Sequence, residues 1–507
     1  MQLLHVRCVR RTYASAVRFD SPELVTCGKS TSEVLRGWTV FKLFTYDPIV
    51  DNSLKLFSVA QRLLGERLFE SLLRGTVFGQ FAGGVDEEDA AKTCAKLSRK
   101  GISSVWQYSV EQDVRTDGSP GDIRRQEALY QKQNEHFLKT IELSGRYNTS
   151  VARFAAIKLT AISNTILLQR LSILLKASEA TFNSLAAKSA CDVHQGVPMD
   201  VIAKHYPSLL KNNEKSTLVT SDGKVTLAEW IRHLRLPWNL SLYSAILEQA
   251  GTSLPPLSDI QLEQFDGFVK RLEAIGECAS SAGVRVLIDA EQTWYQPAIH
   301  HFTLHYLMPQ FNTSTSTPIY NTVQAYLQSA YNTLLLDTAT AKLYNFKYAL
   351  KLVRGAYMVQ ERAEAAGNGY PSPIHPDKPS TDQSYNKAME YLLGEVAKGR
   401  VNLMVASHNR PSVELAVEKM NELKLSPSDG SVVFGQSLGM ADHLTYPLAH
   451  EGYQVNKVLP YGPIQEVLPY LSRRAQENRG IMLNAQTELQ LYQNELKRRL
   501  FGSYTSS

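Results

Sequence analysis

Residues 401–436, VNLMVASHNRPSVELAVEKMNELKLSPSDGSVVFGQ, decide the fold. An apolar run, Val401–Ser407, ends on the polar pair His408 and Asn409. A longer amphipathic stretch, Ser412–Leu423, follows it, and a second β-branched run begins after a turn rich in Ser, Pro, Asp and Gly, over Ser431–Gln436. Strand, helix and strand in that order make the repeating unit of a parallel sheet. Outward from this unit the same texture recurs, with strands expected at Ser104–Ser109, Phe154–Leu159, Val284–Asp289, Ile319–Ala325, Tyr348–Val353 and Gln454–Leu459. Helical segments follow most of them, among them Ser384–Ala397 and Pro463–Asn478. Eight β–α units suggest a (β/α)8 barrel, whose sites sit at the C-terminal ends of the strands. An open doubly wound sheet is the competing topology, and periodicity does not separate the two.

The remaining chain adds to this frame. Residues 54–100 read as helices, because Leu54, Leu56, Leu63, Leu64, Leu68 and Leu72 recur at helical spacing. The second and third strands are separated by residues 160–283, far more than one crossover helix needs. The stretch at about 165–280 is mostly helical and polar, with loop-like Lys211–Lys224 and Gly251–Leu257, and reads as an inserted helical subdomain. Residues 112–122 read as a solvated loop. The expected organisation is a leader over 1–19, an N-terminal helical arm over 20–100, the barrel with its insertion over 101–480, and a C-terminal helix or tail over 481–507.

Composition restricts the function. The chain has 507 residues, 54 Lys+Arg and 49 Asp+Glu, for a net charge of +5. Arg7, Arg10, Arg11 and Arg18 fall in the first 19 residues, where no acid occurs. Without them 50 basic residues face 49 acidic ones, a net of +1. The body is therefore neutral and gives no electrostatic reason for a nucleic-acid partner. The leader itself, amphipathic and acid-poor, looks like a mitochondrial transit peptide; an ordinary disordered basic tail is the alternative. Five scattered cysteines without a C-x-x-C pair point to reduced thiols and to no zinc site. The best apolar stretch, Ile162–Leu175, is interrupted by Arg170, so no spanning helix is expected.

Three patterns mislead. Gly435-Gln436-Ser437-Leu438-Gly439 matches the G-x-S-x-G of a nucleophile elbow, but Asp442, His443 and His450 lie too near Ser437 to come from separate strand-end loops. Residues 218–229 resemble a calcium loop, with Gly223 at the sixth place and Glu229 at the twelfth. Leu218 stands where the first carboxylate belongs, so a structural turn is the better reading. His301 and His305 are one helical turn apart without the glutamate of a metalloprotease helix, and read as a helix surface.

The informative residues cluster at expected strand ends: Lys158, Asp289, Gln324, Lys351 with Val353 and Gly355, His408-Asn409, and Gln436. A charge at the end of an apolar strand is costly unless a ligand or a partner answers it. On the last barrel helix Tyr470, Arg473, Arg474 and Glu477 fall at i, i+3, i+4 and i+7, so one face carries a ring, two guanidiniums and a carboxylate. Two adjacent arginines can grip a small carboxylate through planar, charge-assisted hydrogen bonds, although a solvated basic patch would look the same. Lys158 would add a third positive charge, and the Gly355-Ala356 backbone would leave room for a flat cofactor.

Leu-Ile-Asp-Ala-Glu-Gln-Thr (287–293), Lys-Leu-Val-Arg-Gly-Ala-Tyr (351–357), Ala-Ser-His-Asn (406–409) and Tyr-Leu-Ser-Arg-Arg-Ala-Gln-Glu-Asn (470–478) resemble proline dehydrogenase, the mitochondrial flavoenzyme family of eukaryotes. The resemblance runs from about residue 50 to residue 480 and is weakest in the insertion. It implies a distorted (β/α)8 barrel that holds FAD noncovalently at its C-terminal mouth. The implied reaction oxidises L-proline to Δ1-pyrroline-5-carboxylate by hydride transfer to flavin N5, and electrons pass to a ubiquinone-type acceptor. The implied place is the matrix side of the mitochondrial inner membrane, with peripheral membrane contact. Carried over by motif, Lys158, Arg473 and Arg474 would bind the substrate carboxylate, Asp289 would organise that cationic pocket, and Leu438 would wall it. Gln324, Lys351, Val353, Gly355, Ala356, Ser407, His408, Asn409 and Gln436 would line the flavin, with Glu477 on its adenosine side. Lys351 is the candidate cation beside the flavin, and Glu111 would close the pocket by pairing with an arginine of the last helix.

One residue departs from the pattern. Members specific for proline carry a tyrosine where this chain has Val458, and relatives acting on 4-hydroxyproline have a smaller residue there. Hydroxyproline or another cyclic imino acid therefore stands beside proline as substrate. A catalytically silent barrel acting as a binding module, and a serine hydrolase using Ser437, are the readings from other classes. Leu489, Tyr492, Leu496 and Leu500 form an apolar stripe near Lys497, Arg498 and Arg499, which either lies on a membrane surface or packs on the barrel.

Overall fold

Short apolar runs with buried residues on both faces form strands that neighbours must cover on every side. In the computed structural model of the chain, they become β1 (Ile102–Tyr108), β2 (Phe154–Ile157), β3 (Arg285–Ile288), β4 (Ile319–Gln324), β5 (Tyr348–Val353), β6 (Val401–Ala406), β7 (Val432–Ser437) and β8 (Val455–Tyr461). The structure describes residues 17–19, 22–26, 28–109, 120–191, 195–205, 223–233, 246–247, 254–255, 257–480 and 482–502. Each strand lies beside its neighbours in sequence, and β8 lies beside β1, so the sheet is a closed barrel and the open-sheet alternative falls. Pairing is parallel, running from Phe154↔Arg285 to Ile157↔Ile288, from Asn321↔Leu350 to Gln324↔Val353, and from Val455↔Phe434 to Val458↔Ser437. All eight expected strands are present, their ends displaced by no more than two residues.

The chain divides into two compact units, one of Trp106–Arg146 and Arg153–Met404, the other of Met1–Val105, Tyr147–Ala152 and Val405–Ser507. In the first unit, the helix Pro120–Tyr147 begins inside the stretch expected to be a loop, with Pro120 at its first position, where a missing N–H is tolerated. The long interval between β2 and β3 holds the helices Thr165–Lys188, Met199–His205, Leu227–His233 and Asp259–Ala282, with a short antiparallel pairing of Val197 to Val225. The last of these helices opens on a capping box of Ser258 and Gln261 and closes on Gly283 at φ 62°.

Two of the misleading patterns are explained here. Glu229 accepts from Thr226 N at 2.7 Å and from Thr226 Oγ1 at 2.8 Å, which makes it the second half of a capping box for Leu227–His233. Residues 218–222 of the calcium-like loop lie outside the described residues. His301 is buried, which corrects its reading as part of a helix surface, and burial lowers its imidazole to about 3, assisted by the neighbouring His300. Its helix Gln296–His301 widens into a π-turn over Phe302–Leu307.

The second unit has an apolar core of its own, which includes Val34, Phe41, Phe69, Leu73, Phe81, Val467, Leu471 and Tyr492. Helix Thr31–Leu43, capped by Ser30 and Glu33, packs on the final helix Met482–Phe501. The Phe41 and Tyr492 rings stack with centroids 5.9 Å apart. Gly37 permits this approach, since a Cβ there would lie 2.7 Å from the Tyr492 ring. Lys29 Nζ donates to Tyr492 Oη at 2.7 Å and to Asp442 Oδ2 at 2.5 Å, while Lys457 Nζ meets Asp442 Oδ1 at 2.8 Å. Of the C-terminal apolar stripe, Leu489, Tyr492 and Leu496 pack inward and Leu500 stays exposed. Among the described residues no helix is long and apolar enough to cross a membrane.

Candidate active site

Every barrel strand ends on residues that chemistry can use, and each unit gathers its own set. In the first unit, the apolar strand β3 delivers Asp289 just past Ile288, and Asp289 N donates to Ile157 O at 2.9 Å, which fixes the strand end. β5 carries Lys351, whose Nζ donates to Asp289 Oδ1 at 2.6 Å. Gln107 Nε2 reaches the other carboxylate oxygen at 3.4 Å. Lys158 follows β2 at the start of a short 3-10 turn, Leu159–Ala161.

Beside this pair is a second, more deeply buried acid. Thr160 Oγ1 donates to both oxygens of Glu291 at 2.9 Å. Burial pushes the Glu291 carboxyl above its ordinary range, while the Lys158 ammonium and the Thr160 hydrogen bonds oppose that shift. Gln324, buried at the end of β4, donates through Nε2 to Glu291 O at 2.8 Å, and Glu291 N donates to Gln296 Oε1 at 2.8 Å. Backbone and side chain of Glu291 are therefore both held in place.

β5 ends on Val353, and the loop Arg354-Gly355-Ala356 follows it. Gly355 has φ 142°, and a Cβ on it would stand 2.5 Å from the Tyr326 ring. The space left by the missing side chain is thus taken by Tyr326, which supplies a reason for this glycine besides room for a cofactor. Arg354 Nε donates to Asp382 Oδ1 at 2.7 Å, and its guanidinium lies over the Tyr385 ring.

In the second unit, Ser407, His408 and Asn409 turn the chain from β6 into the helix Arg410–Glu422. Asn409 N donates to Ser407 Oγ at 3.0 Å, and Asn409 Oδ1 caps the helix by accepting from Ser412 N at 3.1 Å. His408 Nε2 accepts from Ser437 N at 3.0 Å, which assigns the neutral ring its proton on Nδ1. His408 Nε2 thus holds the backbone N–H at the end of β7. Gln436, fully buried in β7, accepts from Thr445 Oγ1 at 3.1 Å and reaches Ser407 O at 3.4 Å. Leu438 N donates to Val458 O at 3.1 Å, and Val458 is in register with Ser437. Lys457 Nζ donates to the carbonyls of Ser437 and Met440 and thereby ties down the turn that carries Leu438.

Arg473 is half-buried on the helix Ile464–Gly480, one turn after buried Tyr470. Arg474 and Glu477 lie on the same helix, but their side chains, like the whole of Glu111, are outside the described residues. The structure therefore brings Asp289 to Lys351, and Ser407, His408, Asn409 and Gln436 to one another. Sequence reading missed Glu291, Thr160, Gln107, Thr445 and Lys457. Glu291 stood inside a quoted motif, only two residues after Asp289, and that was its one signal.

Residues 90–485 match the proline dehydrogenase family. Mitochondrial proline dehydrogenase 1 of Homo sapiens is 33% identical, over 96% of this chain and 90% of its own length. The hydroxyproline dehydrogenase of Xenopus laevis is also 33% identical, over 94% of this chain and 88% of its own. Among solved structures, proline utilization A from Bdellovibrio bacteriovorus, inactivated by N-propargylglycine, is similar with a TM-score of 0.53. It is 15% identical, and the match covers 93% of this chain but 38% of that one, so it speaks for the fold alone.

Proposed function

Because the chain belongs to the proline dehydrogenase family and is an oxidoreductase acting on proline, we propose that it oxidises L-proline to Δ1-pyrroline-5-carboxylate with FAD as cofactor and a membrane quinone as final acceptor. The observation that carries the reading is the 2.6 Å contact of Lys351 with Asp289 at the ends of β5 and β3, beside Lys158 and buried Glu291. The donor set fits a flavin: Lys351 has ammonium hydrogens beyond the one given to Asp289, and the Ser407–Asn409 turn and Gln436 supply further polar groups.

In this reading Lys158, Arg473 and Arg474 grip the substrate carboxylate, and Asp289 holds Lys351 in one orientation. Gln324, Lys351, Val353, Gly355, Ala356, Ser407, His408, Asn409 and Gln436 hold the cofactor, with Glu477 toward the adenosine. Leu438 walls the substrate, and Glu111 closes over it. Bound FAD supplies the hydride acceptor. The carboxylate clamp fixes the ring carbon beside the amine, so that hydride leaves with the C–H electron pair as the nitrogen lone pair forms C=N. The amine must be neutral for this step, and its remaining proton passes to solvent. The mitochondrial names of relatives and the Arg-rich start of the sequence support a mitochondrial location, which we assign to the matrix side of the inner membrane.

Hydroxyproline is the second reading, favoured by Val458 and by a hydroxyproline dehydrogenase relative as similar as the human proline enzyme. Purified protein should be yellow and should reduce an artificial electron acceptor with proline. Measured kcat/KM for proline against 4-hydroxyproline decides between the two substrates. A colourless protein inactive with both would defeat the proposal.

A further inference from the structure

The helix Ser53–Gly75 has more apolar surface than its own unit can bury. Phe69 and Leu73 are buried and Phe57 packs against the same core, so one side of the helix is satisfied. The other side presents Leu56 (44% exposed), Val59 (51%), Leu63 (80%), Leu64 (42%), Leu68 (64%) and Leu72 (48%). Before the bend Leu56, Val59 and Leu63 fall at i, i+3 and i+7, with Leu64 at the margin toward Phe57, and after it Leu68 and Leu72 fall at i and i+4, so each half carries an exposed apolar stripe. The ridge bends at Gly65, where φ 72° and ψ 165° interrupt the helix, and Leu63 lies beside the bend. Scattered exposed leucines are ordinary, but a contiguous ridge of this kind marks an interaction surface.

Charge selects the occupant. By helical position, Lys55 and Arg62 flank the ridge before the bend, Arg67 and Arg74 flank it on the same side after the bend, and all four are exposed, with Arg74 also facing Asp89 at 3.6 Å. Glu66 and Glu70 are turned the other way, toward Gln465, whose Nε2 reaches them at 3.4 and 3.0 Å. Three stripes result: buried aromatic and leucine, exposed aliphatic, and exposed basic. That is the pattern of a helix lying in a lipid interface, with the aliphatic stripe among acyl chains and the basic stripe at phosphate level. A second copy is the poorer fit, because antiparallel pairing of two ridges would set the basic edges against each other.

We infer that the bent helix Ser53–Gly75 docks the protein on an anionic lipid bilayer through its leucine ridge and basic edge. The inference does not depend on the substrate or the electron acceptor. Full-length protein is sedimented with phosphatidylcholine vesicles, with and without added phosphatidylglycerol. Wild type should bind the anionic vesicles more tightly, and raising salt from about 0.1 M to about 1 M should weaken that binding. Leu63→Glu with Leu68→Glu should weaken it at least about tenfold, the scale set by losing two leucines of apolar burial. Turnover with a soluble artificial acceptor should not change. Lys55→Glu with Arg62→Glu should remove the preference for anionic vesicles. Leu63→Ala with Leu68→Ala, the milder change, should weaken binding in the same direction and guards against misfolding of the charged variant. Binding unchanged in all three variants would overturn the inference. So would a wild-type dimer that does not bind vesicles and that the glutamate variant splits into monomers.

Discussion

Lys351 Nζ lies 2.6 Å from Asp289 Oδ1, which joins the ends of β5 and β3 past the intervening β4. Both side chains are mostly buried, so neither charge is well served by water alone. Asp289→Ala should cost about 1–3 kcal/mol of stability by leaving the ammonium short of a partner. It should also lower kcat/KM for proline by roughly 10–100-fold through misplacement of Lys351. Asp289→Leu with Lys351→Met should recover stability in denaturant unfolding without recovering turnover. Additive losses of stability in that pair of changes would mean that the contact couples nothing.

Acid should act on the second unit through Asp442. Burial alone would raise this carboxyl, but Lys29 and Lys457 hold it far below the ordinary aspartate range. A folded-state value below the unfolded one gives stability that is complete above the unfolded value, about 3.9, and is lost as pH falls through the folded value. Asp442→Asn should therefore cost about 3–5 kcal/mol near neutrality, because two buried ammonium groups lose their counterion. Its unfolding midpoint should also depend less steeply on pH across the acid range. An acid limb identical to that of wild type would assign the acid sensitivity elsewhere.

Val458 sits opposite Ser437 in the β7–β8 register, next to the bond from Leu438 N. Val458→Tyr should raise the ratio of kcat/KM for proline over 4-hydroxyproline, by about tenfold or more if the ring fills space the hydroxyl uses. An unchanged ratio would place the substrate away from this strand.

Gly355 is constrained twice, by its φ of 142° and by the Tyr326 ring 2.5 Å from where a Cβ would stand. Gly355→Ala should lose about 1–3 kcal/mol and bind flavin more weakly, read from thermal unfolding and from the absorbance of the purified protein. A variant with wild-type stability and flavin content would show that the loop adapts.

The barrel was legible because strands buried on both faces advertise themselves as unbroken apolar runs, and a lysine or aspartate at the end of one, as at Lys158, Asp289 and Lys351, stands out. Glu291 did not stand out, since it lies in an aperiodic loop and its partner Thr160 is 131 residues away. Lys29 and Asp442 are 413 residues apart and belong to no local pattern. The leucines of residues 54–72 announced a helix but not its orientation, because the same spacing serves a core face or a face turned to solvent. His301 illustrates the converse, a polar residue at surface-like spacing that the fold encloses.

The clasp of Lys29 on Asp442 and Tyr492 also bears on how the protein matures. Lys29 and Tyr492 are 463 residues apart, so the helix Thr31–Leu43 has to wait for the last stretch of synthesis before Phe41 finds its stacking partner. In the meantime its apolar face is exposed and suited to a chaperone. The same geometry limits trimming. A cut ahead of Lys29 would already remove buried Phe19, Val25 and Thr26, and a cut beyond it would also take an ammonium from buried Asp442 and loosen the final helix. The start of the chain is thus fastened to its end by burial as well as by charge.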